Sequence, residues 1–116
     1  MHNFQKLEVW VVSMELSTEI HKITKEFPKQ ETYGITSQMR RASVSIPSNI
    51  AEGSGRKGNK EFTQFLFIAN GSAFELYTQI IILSNIGYIS NEIKEELLKK
   101  LNSIQKMLFS LIQKFS

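Results

Sequence analysis

A chain of 116 residues fits one domain around one core, and 41% hydrophobic with 22% charged residues is ordinary for a folded globular protein. The absence of cysteine excludes disulfides and cysteine-ligated zinc or iron–sulfur sites and is compatible with a reducing compartment. The net charge of +3 and pI near 9.2 are compatible with nucleic acid as a partner but too mild to indicate one alone.

The start, Met1 to Leu7, lacks a basic-then-apolar signal pattern. The longest apolar runs, such as Ile80 to Leu83, are a few residues long, so no bilayer span is expected and the cytoplasm is the default location. With only 2 prolines and 6 glycines, long helices are permitted.

The first periodic segment runs from about Leu7 to Phe27. Val9, Val12, Leu16, Ile20, Ile23 and Phe27 recur at spacings of three and four, which places them on one helical face. Pro28 stops the helix by pushing its neighbour out of the α region.

The second segment runs from about Thr36 to Glu52, with Thr36 or Ser37 as its cap. Ile35, Met39, Ala42, Ile46 and Ile50 form its apolar stripe. Pro47 lies inside the stripe and removes a backbone donor. Because the stripe keeps its phase through Ile50, a kink near Pro47 is expected rather than a break. Gly53 is expected to end the helix.

The third segment runs from about Asn59 to Asn85. Phe62, Phe65, Ala69, Ala73, Leu76, Ile80 and Leu83 stay in register throughout, so Asn70-Gly71 reads as helix despite its turn propensity. Ala69, Gly71, Ser72 and Ala73 form a small-residue patch suited to the close approach of another helix. Gly87 and Tyr88 end the segment. The fourth, capped by Ser90 or Asn91, carries a seam of Ile93, Leu97, Leu101, Ile104, Leu108, Leu111 and Phe115.

Four helices of this length, joined by short loops and without strand alternation, predict one all-α domain: an antiparallel up-down-up-down four-helix bundle. Between Phe62 and Tyr88 the only charged residue is Glu75. The face away from the core holds Phe67, Phe74 and Ile81, with Tyr77 nearby. A helix that is apolar on every side is buried on every side, so these four residues predict a subunit interface.

On the second helix Gln38, Arg41, Ser45, Asn49 and Glu52 form a polar line beside the apolar stripe. These hydrogen-bonding types predict a structural network that fixes helix register, including a pair between Arg41 and Glu75.

Gly53-Ser54-Gly55-Arg56-Lys57-Gly58 matches G-x-G-x-x-G, but it follows a helix, and the dinucleotide motif requires a preceding strand. What remains is a basic loop entering a helix N-terminus. Arg40, Arg56, Lys57 and Lys60 are the candidate phosphate contacts. His2 and His21 are isolated, no Glu-x-x-His occurs, and no histidine is placed to activate a nucleophile. No catalytic site, metal site or cofactor is predicted.

The stretches Phe27-Pro28, Glu31-Thr32-Tyr33-Gly34-Ile35, Gln38-Met39-Arg40-Arg41-Ala42, Ser45-Ile46-Pro47-Ser48-Asn49-Ile50-Ala51-Glu52-Gly53, Glu61-Phe62, Ile68 to Leu76 and Gly87-Tyr88-Ile89 carry a family resemblance. The chain resembles, over essentially its whole length, the bacterial four-helix bundle proteins encoded in intervening sequences of 23S ribosomal RNA genes. The resemblance implies a four-helix bundle without established enzymatic activity, assembled in relatives as five-fold rings. Related accessory proteins of diversity-generating retroelements bind nucleic acid and a reverse transcriptase. The motif residues carried over are Gln38, Arg41, Ser45, Asn49, Glu52, Gly53 and Glu75. Together these readings lead to an oligomeric, non-enzymatic protein, an expected pentamer, that binds RNA or DNA. The alternative is a scaffold for a protein partner.

Overall fold

A computed structural model describes all 116 residues and contains four long helices and no strand. They are α1 (Glu8–Thr24), α2 (Ile35–Ser54), α3 (Asn59–Asn85) and α4 (Asn91–Phe115), with short 3-10 turns at Phe4–Lys6 and Lys29–Glu31. The molecule measures 43 × 24 × 20 Å, and a 27-residue α3 of about 40 Å spans nearly all of its length.

Each helix turns its apolar stripe into a common core. Leu16 and Ile20 of α1, Ile46 and Ile50 of α2, Leu66, Leu76 and Ile80 of α3, and Leu101, Ile104 and Leu108 of α4 are fully buried there. Burial of each such side chain stabilises the fold by about 1.5–3 kcal/mol relative to exposure. The packed neighbours are α1 with α2, α2 with α3, α3 with α4 and α4 with α1, so α1 and α3 stand diagonally across the core.

Contacts between consecutive helices run in opposite order along the chain. On α2 and α3, Gly53 meets Phe62 and Phe65 while Ser45 meets Ser72. On α1 and α2, Ser17 meets Ser43 while Thr24 meets Arg40.

Several helix ends differ from the sequence expectation. At the start of α2 the cap position is Gly34, without a side-chain hydrogen bond, and Thr36 is already helical and buried. Tertiary packing of the first turn replaces the expected Thr36 or Ser37 cap. The helix is unbroken across Pro47 and ends after Ser54, so Gly53 is interior rather than a terminator. Gly53 sits where α3 crosses most closely: a Cβ there would lie 2.6 Å from the Phe65 Cβ.

The end of α3 does need a glycine. Gly87 has φ +82°, and the Tyr88 and Gly87 amides donate to the Leu83 and Ser84 carbonyls in a Schellman closure. Ser90 caps α4 by accepting from the Ile93 amide at 3.1 Å.

The bundle's two ends are tied differently. At one end His2 stacks on Phe62 at 4.5 Å and tilts against Phe115 at 4.6 Å. The His2 amide donates to the Ser54 carbonyl at 2.8 Å, which latches the first residues over the α2–α3 junction. At the other end Tyr88 packs on Phe27 and donates to the Glu31 carboxylate at 2.9 Å. That hydrogen bond, then desolvation, then the Glu31 charge raise the phenol pKa above its ordinary value.

One sequence expectation about membranes is corrected. By length and composition α3 is apolar enough to cross a bilayer, with mean hydropathy 1.4 over an 18-residue window. The physical reason is that it carries two apolar faces. One is packed into the core by α2 and α4, and the other points outward.

Candidate interaction surfaces

The outward face of α3 exposes several large apolar side chains. Phe67 and Phe74 are 58% and 60% exposed, and Ile68 and Ile82 are exposed beside them. On α4, Phe109 is 61% exposed and lines the same open groove as Phe67, with Asn70, Ile112 and Gln113.

Two of the four expected interface residues lie elsewhere. Tyr77 and Ile81 are half-buried and pack against the core. A helix of 3.6 residues per turn falls back about 20° over each seven residues. The series Phe67, Phe74, Ile81 therefore rotates inward, while Phe67, Gly71, Phe74, Thr78 and Ile82 form the outward ridge. The small-residue patch divides as well: Ala69 and Ala73 are in the core, Ser72 faces α2, and Gly71 faces outward with no atom within 4 Å of its Cβ position.

The polar line on α2 forms only in part. Asn49 Nδ2 donates to the Ser45 carbonyl at 2.8 Å and to Ser45 Oγ at 2.9 Å, and Ser72 Oγ donates to Ser45 Oγ at 2.8 Å. This three-residue link pins α2 to α3. Gln38, Arg41, Glu52 and Glu75 are exposed. The expected Arg41–Glu75 pair is not formed; the only ion pairs are Arg56–Glu52, Lys94–Glu95 and Lys100–Glu19. Both partners point outward from their own helices, so one chain does not bring them together. Buried Gln79 on α3 keeps an unpartnered Oε1.

The four candidate phosphate contacts separate into two groups. Arg40 is half-buried, and its Nε donates to Thr24 Oγ1 at 2.8 Å while Nη2 donates to the His21 carbonyl at 3.3 Å. A guanidinium at the last turn of α1 serves the free carbonyl groups and the negative end of the helix dipole, so Arg40 is a packing residue of the α1–α2 seam. No local sequence signal could have shown this, because Thr24 is sixteen residues away.

Arg56, Lys57 and Lys60 are exposed around the α2–α3 loop. Arg56 pairs with Glu52 at 3.2 Å and lies 4.9 Å above the Phe65 ring. Lys57 and Lys60 are in no ion pair and flank Gly58, the cap position of α3, which has no side-chain hydrogen bond. No three His, Cys, Asp or Glu side chains come together as metal ligands.

Arg40→Ala is expected to cost about 1–3 kcal/mol, because buried Thr24 loses a charged donor. Chemical denaturation measures it, and nucleic-acid affinity should stay unchanged. A variant as stable as the parent would show that the clamp is idle.

The sequence model of the 23S rRNA-intervening sequence protein family matches residues 5–110. The chain belongs to this family. A solved structure from Bacteroides thetaiotaomicron VPI-5482, a protein of unknown function from the S23 ribosomal protein family, superposes with a TM-score of 0.84 at 26% identity. The match covers 90% of this chain and 95% of that one. No curated protein sequence matches the chain. Family membership and this likeness agree with the four-helix architecture, and the family takes in the S-I-P-S-N-I-A-E-G stretch that contains Ser45 and Asn49.

Proposed function

We propose that the chain is a self-associating, non-catalytic binding protein of the cytoplasm that meets RNA phosphates through Lys57, Lys60 and Arg56. Support comes from the free cations Lys57 and Lys60 at the uncapped start of α3, where backbone N–H groups and the helix dipole also favour anions. One such patch is weak. Assembly through the apolar ridge of α3 repeats it, and a polyanion that touches several copies gains affinity by effective concentration. These contacts position a backbone and read no sequence.

A second reading has its own support. The groove shared by Phe67 and Phe109 is apolar enough to seat a protein partner, which would make the chain a scaffold.

A titration with structured RNA at several salt concentrations separates the two. Under the first reading affinity falls as salt rises, because displaced counterions drive binding. Lys57→Gln with Lys60→Gln should weaken binding about equally for all RNA sequences and reduce the salt slope by about 1 per lysine removed. No binding at low salt would leave the scaffold reading.

A further inference from the structure

The excess charge of the chain gathers at one end of the bundle. There the end of α2, the start of α3, the end of α4 and the first residues meet, with His2 touching Ser54, Phe62 and Phe115. Lys6, Arg56, Lys57, Lys60 and Lys114 stand at this end, all exposed, against only Glu52 and Glu61. Five cations to two acids is an excess of three, the whole net charge of +3. Over the rest of the bundle nine cations stand against nine acids. Glu8 and Lys106, next in line, share a groove on the α1–α4 side and cancel.

Aromatic packing joins these cations into one surface. His2 Nε2 hydrogen-bonds with Asn59 Oδ1 at 3.1 Å, which fastens the first residues to the start of α3, and its ring packs on Phe115 of α4. Lys114 Nζ lies 5.3 Å from the Phe115 ring, and that ring lies 5.5 Å from Phe62 of α3. Of the five cations only Arg56 is in an ion pair, with Glu52, so Lys6, Lys57, Lys60 and Lys114 are free for another anion. The rings at this end are already engaged. His2 is stacked on Phe62, Phe65 lies under the Arg56 guanidinium, and Phe4 meets Trp10 edge-on at 5.2 Å. The exposed rings of Phe67 and Phe109 lie on the α3–α4 side, Phe67 about 13 Å along α3 from Gly58.

We infer that this whole end of the bundle, and not the α2–α3 loop alone, contacts RNA, that Lys6 and Lys114 meet phosphates beside Lys57 and Lys60, and that the RNA it takes is base-paired. This rests on the RNA reading above and adds the footprint and the form of the ligand. A protein that holds a single strand combines cations with open aromatic faces on which unpaired bases stack. Here the rings stack on one another and leave the surface to lysine ammonium groups. A duplex keeps its bases stacked inside and presents phosphates on two strands. Cations from three elements, spread around a bundle 24 by 20 Å in cross-section, suit two strands better than one. Lysine contacts of this kind hold the backbone and leave sequence unread.

The test follows fluorescence anisotropy of a labelled RNA duplex of about 16 base pairs, and of one of its strands alone, at several salt concentrations. The variants are Lys6→Gln with Lys114→Gln, Lys57→Gln with Lys60→Gln, and Lys25→Gln with Lys29→Gln at the opposite end. All six lysines are exposed, and circular dichroism verifies helix content. The duplex is expected to bind about fivefold or more tightly than the strand, the factor that the lack of even one stacked base takes from single-strand affinity. The Lys6 and Lys114 variant is expected to weaken duplex binding and to lower the salt slope by about 1 per lysine removed in each copy that touches the duplex. The Lys25 and Lys29 variant is expected to bind like the parent. A strand that binds as tightly as the duplex overturns the paired-RNA inference and leaves the RNA reading standing. So does a Lys6 and Lys114 variant that binds like the parent while the Lys57 and Lys60 variant does not, because the contact is then the loop alone. A parent chain that binds neither RNA at low salt overturns the reading and this inference together.

Discussion

Phe62→Ala is expected to lower stability by about 3–5 kcal/mol, the range for removing a fully buried aromatic ring. Phe62 is 1% exposed and touches His2, Phe115 and the Gly53 backbone position, so its loss opens a cavity where α2, α3, α4 and the first residues converge. At roughly 4 °C per kcal/mol for a domain of this size, the thermal midpoint should fall by about 12–20 °C. The comparison is His2→Ala, which removes one face of the same stack from a half-exposed position and should cost about 1 kcal/mol or less. Calorimetry at one fixed protein concentration measures both, since assembly couples the midpoint to concentration. Equal shifts for the two variants would mean that the end is held by the latch and not by the Phe62 core.

The second large effect is a change of sign between two glycines of adjacent helices. Gly53→Ala places a methyl 2.6 Å from the Phe65 Cβ, 3.1 Å from Phe62 Cδ1 and 3.3 Å from the Phe62 carbonyl oxygen. The Phe65 Cβ is fixed to the α3 backbone, so the helices must separate. Overpacking of this kind costs about 1–3 kcal/mol, more than the roughly 0.5–1 kcal/mol that alanine gains in helix propensity. Gly71→Ala meets no atom in the same chain, so there the propensity gain of about 0.5–1 kcal/mol stands alone. Denaturant midpoints should therefore move down for the first and up for the second. If Gly53→Ala left stability unchanged or raised it, the close crossing at Gly53 would not be a constraint.

Both effects bear on assembly, because the crossing at Gly53 orients α3 and so sets where its outward ridge faces. That ridge and the cations at the α3 start belong to one rigid element. Any change in how α3 sits on α2 therefore moves the proposed docking face and the proposed phosphate contacts together. The Ser45–Asn49–Ser72 link fixes the same seam near its middle.

Periodicity alone located the helices well. The third was bounded by Asn59 and Asn85 because apolar spacing held phase through Asn70-Gly71, and local turn propensity is weak against sustained burial. Ser90 was legible as a cap because a hydroxyl before a helix has one characteristic use. Side-chain partners across helices were less legible. Arg40 and Arg41 are adjacent and chemically alike, yet one is a clamp on α1 and the other is exposed. A rotation of 100° per residue decides that, and composition does not. A seven-residue series drifts on a straight helix, which carries Ile81 from the outward face toward the core. Phe109 is a lone apolar residue on a mostly polar face, and a single exposed apolar side chain carries no sequence signal.

By itself the sequence determined the fold class, the number and order of the helices, the stripe that each turns inward, and the shortage of charge on the third helix. These follow from local spacing and composition, which physical chemistry reads one segment at a time. Only the tertiary structure decided which helices are neighbours, that Gly53 is a crossing point while Gly71 faces open space, and that Arg40 serves α1. It also decided which residues of α3 face outward and which turn back to the core. Such facts depend on the rotation of each helix about its own axis, which packing of the whole core sets at once.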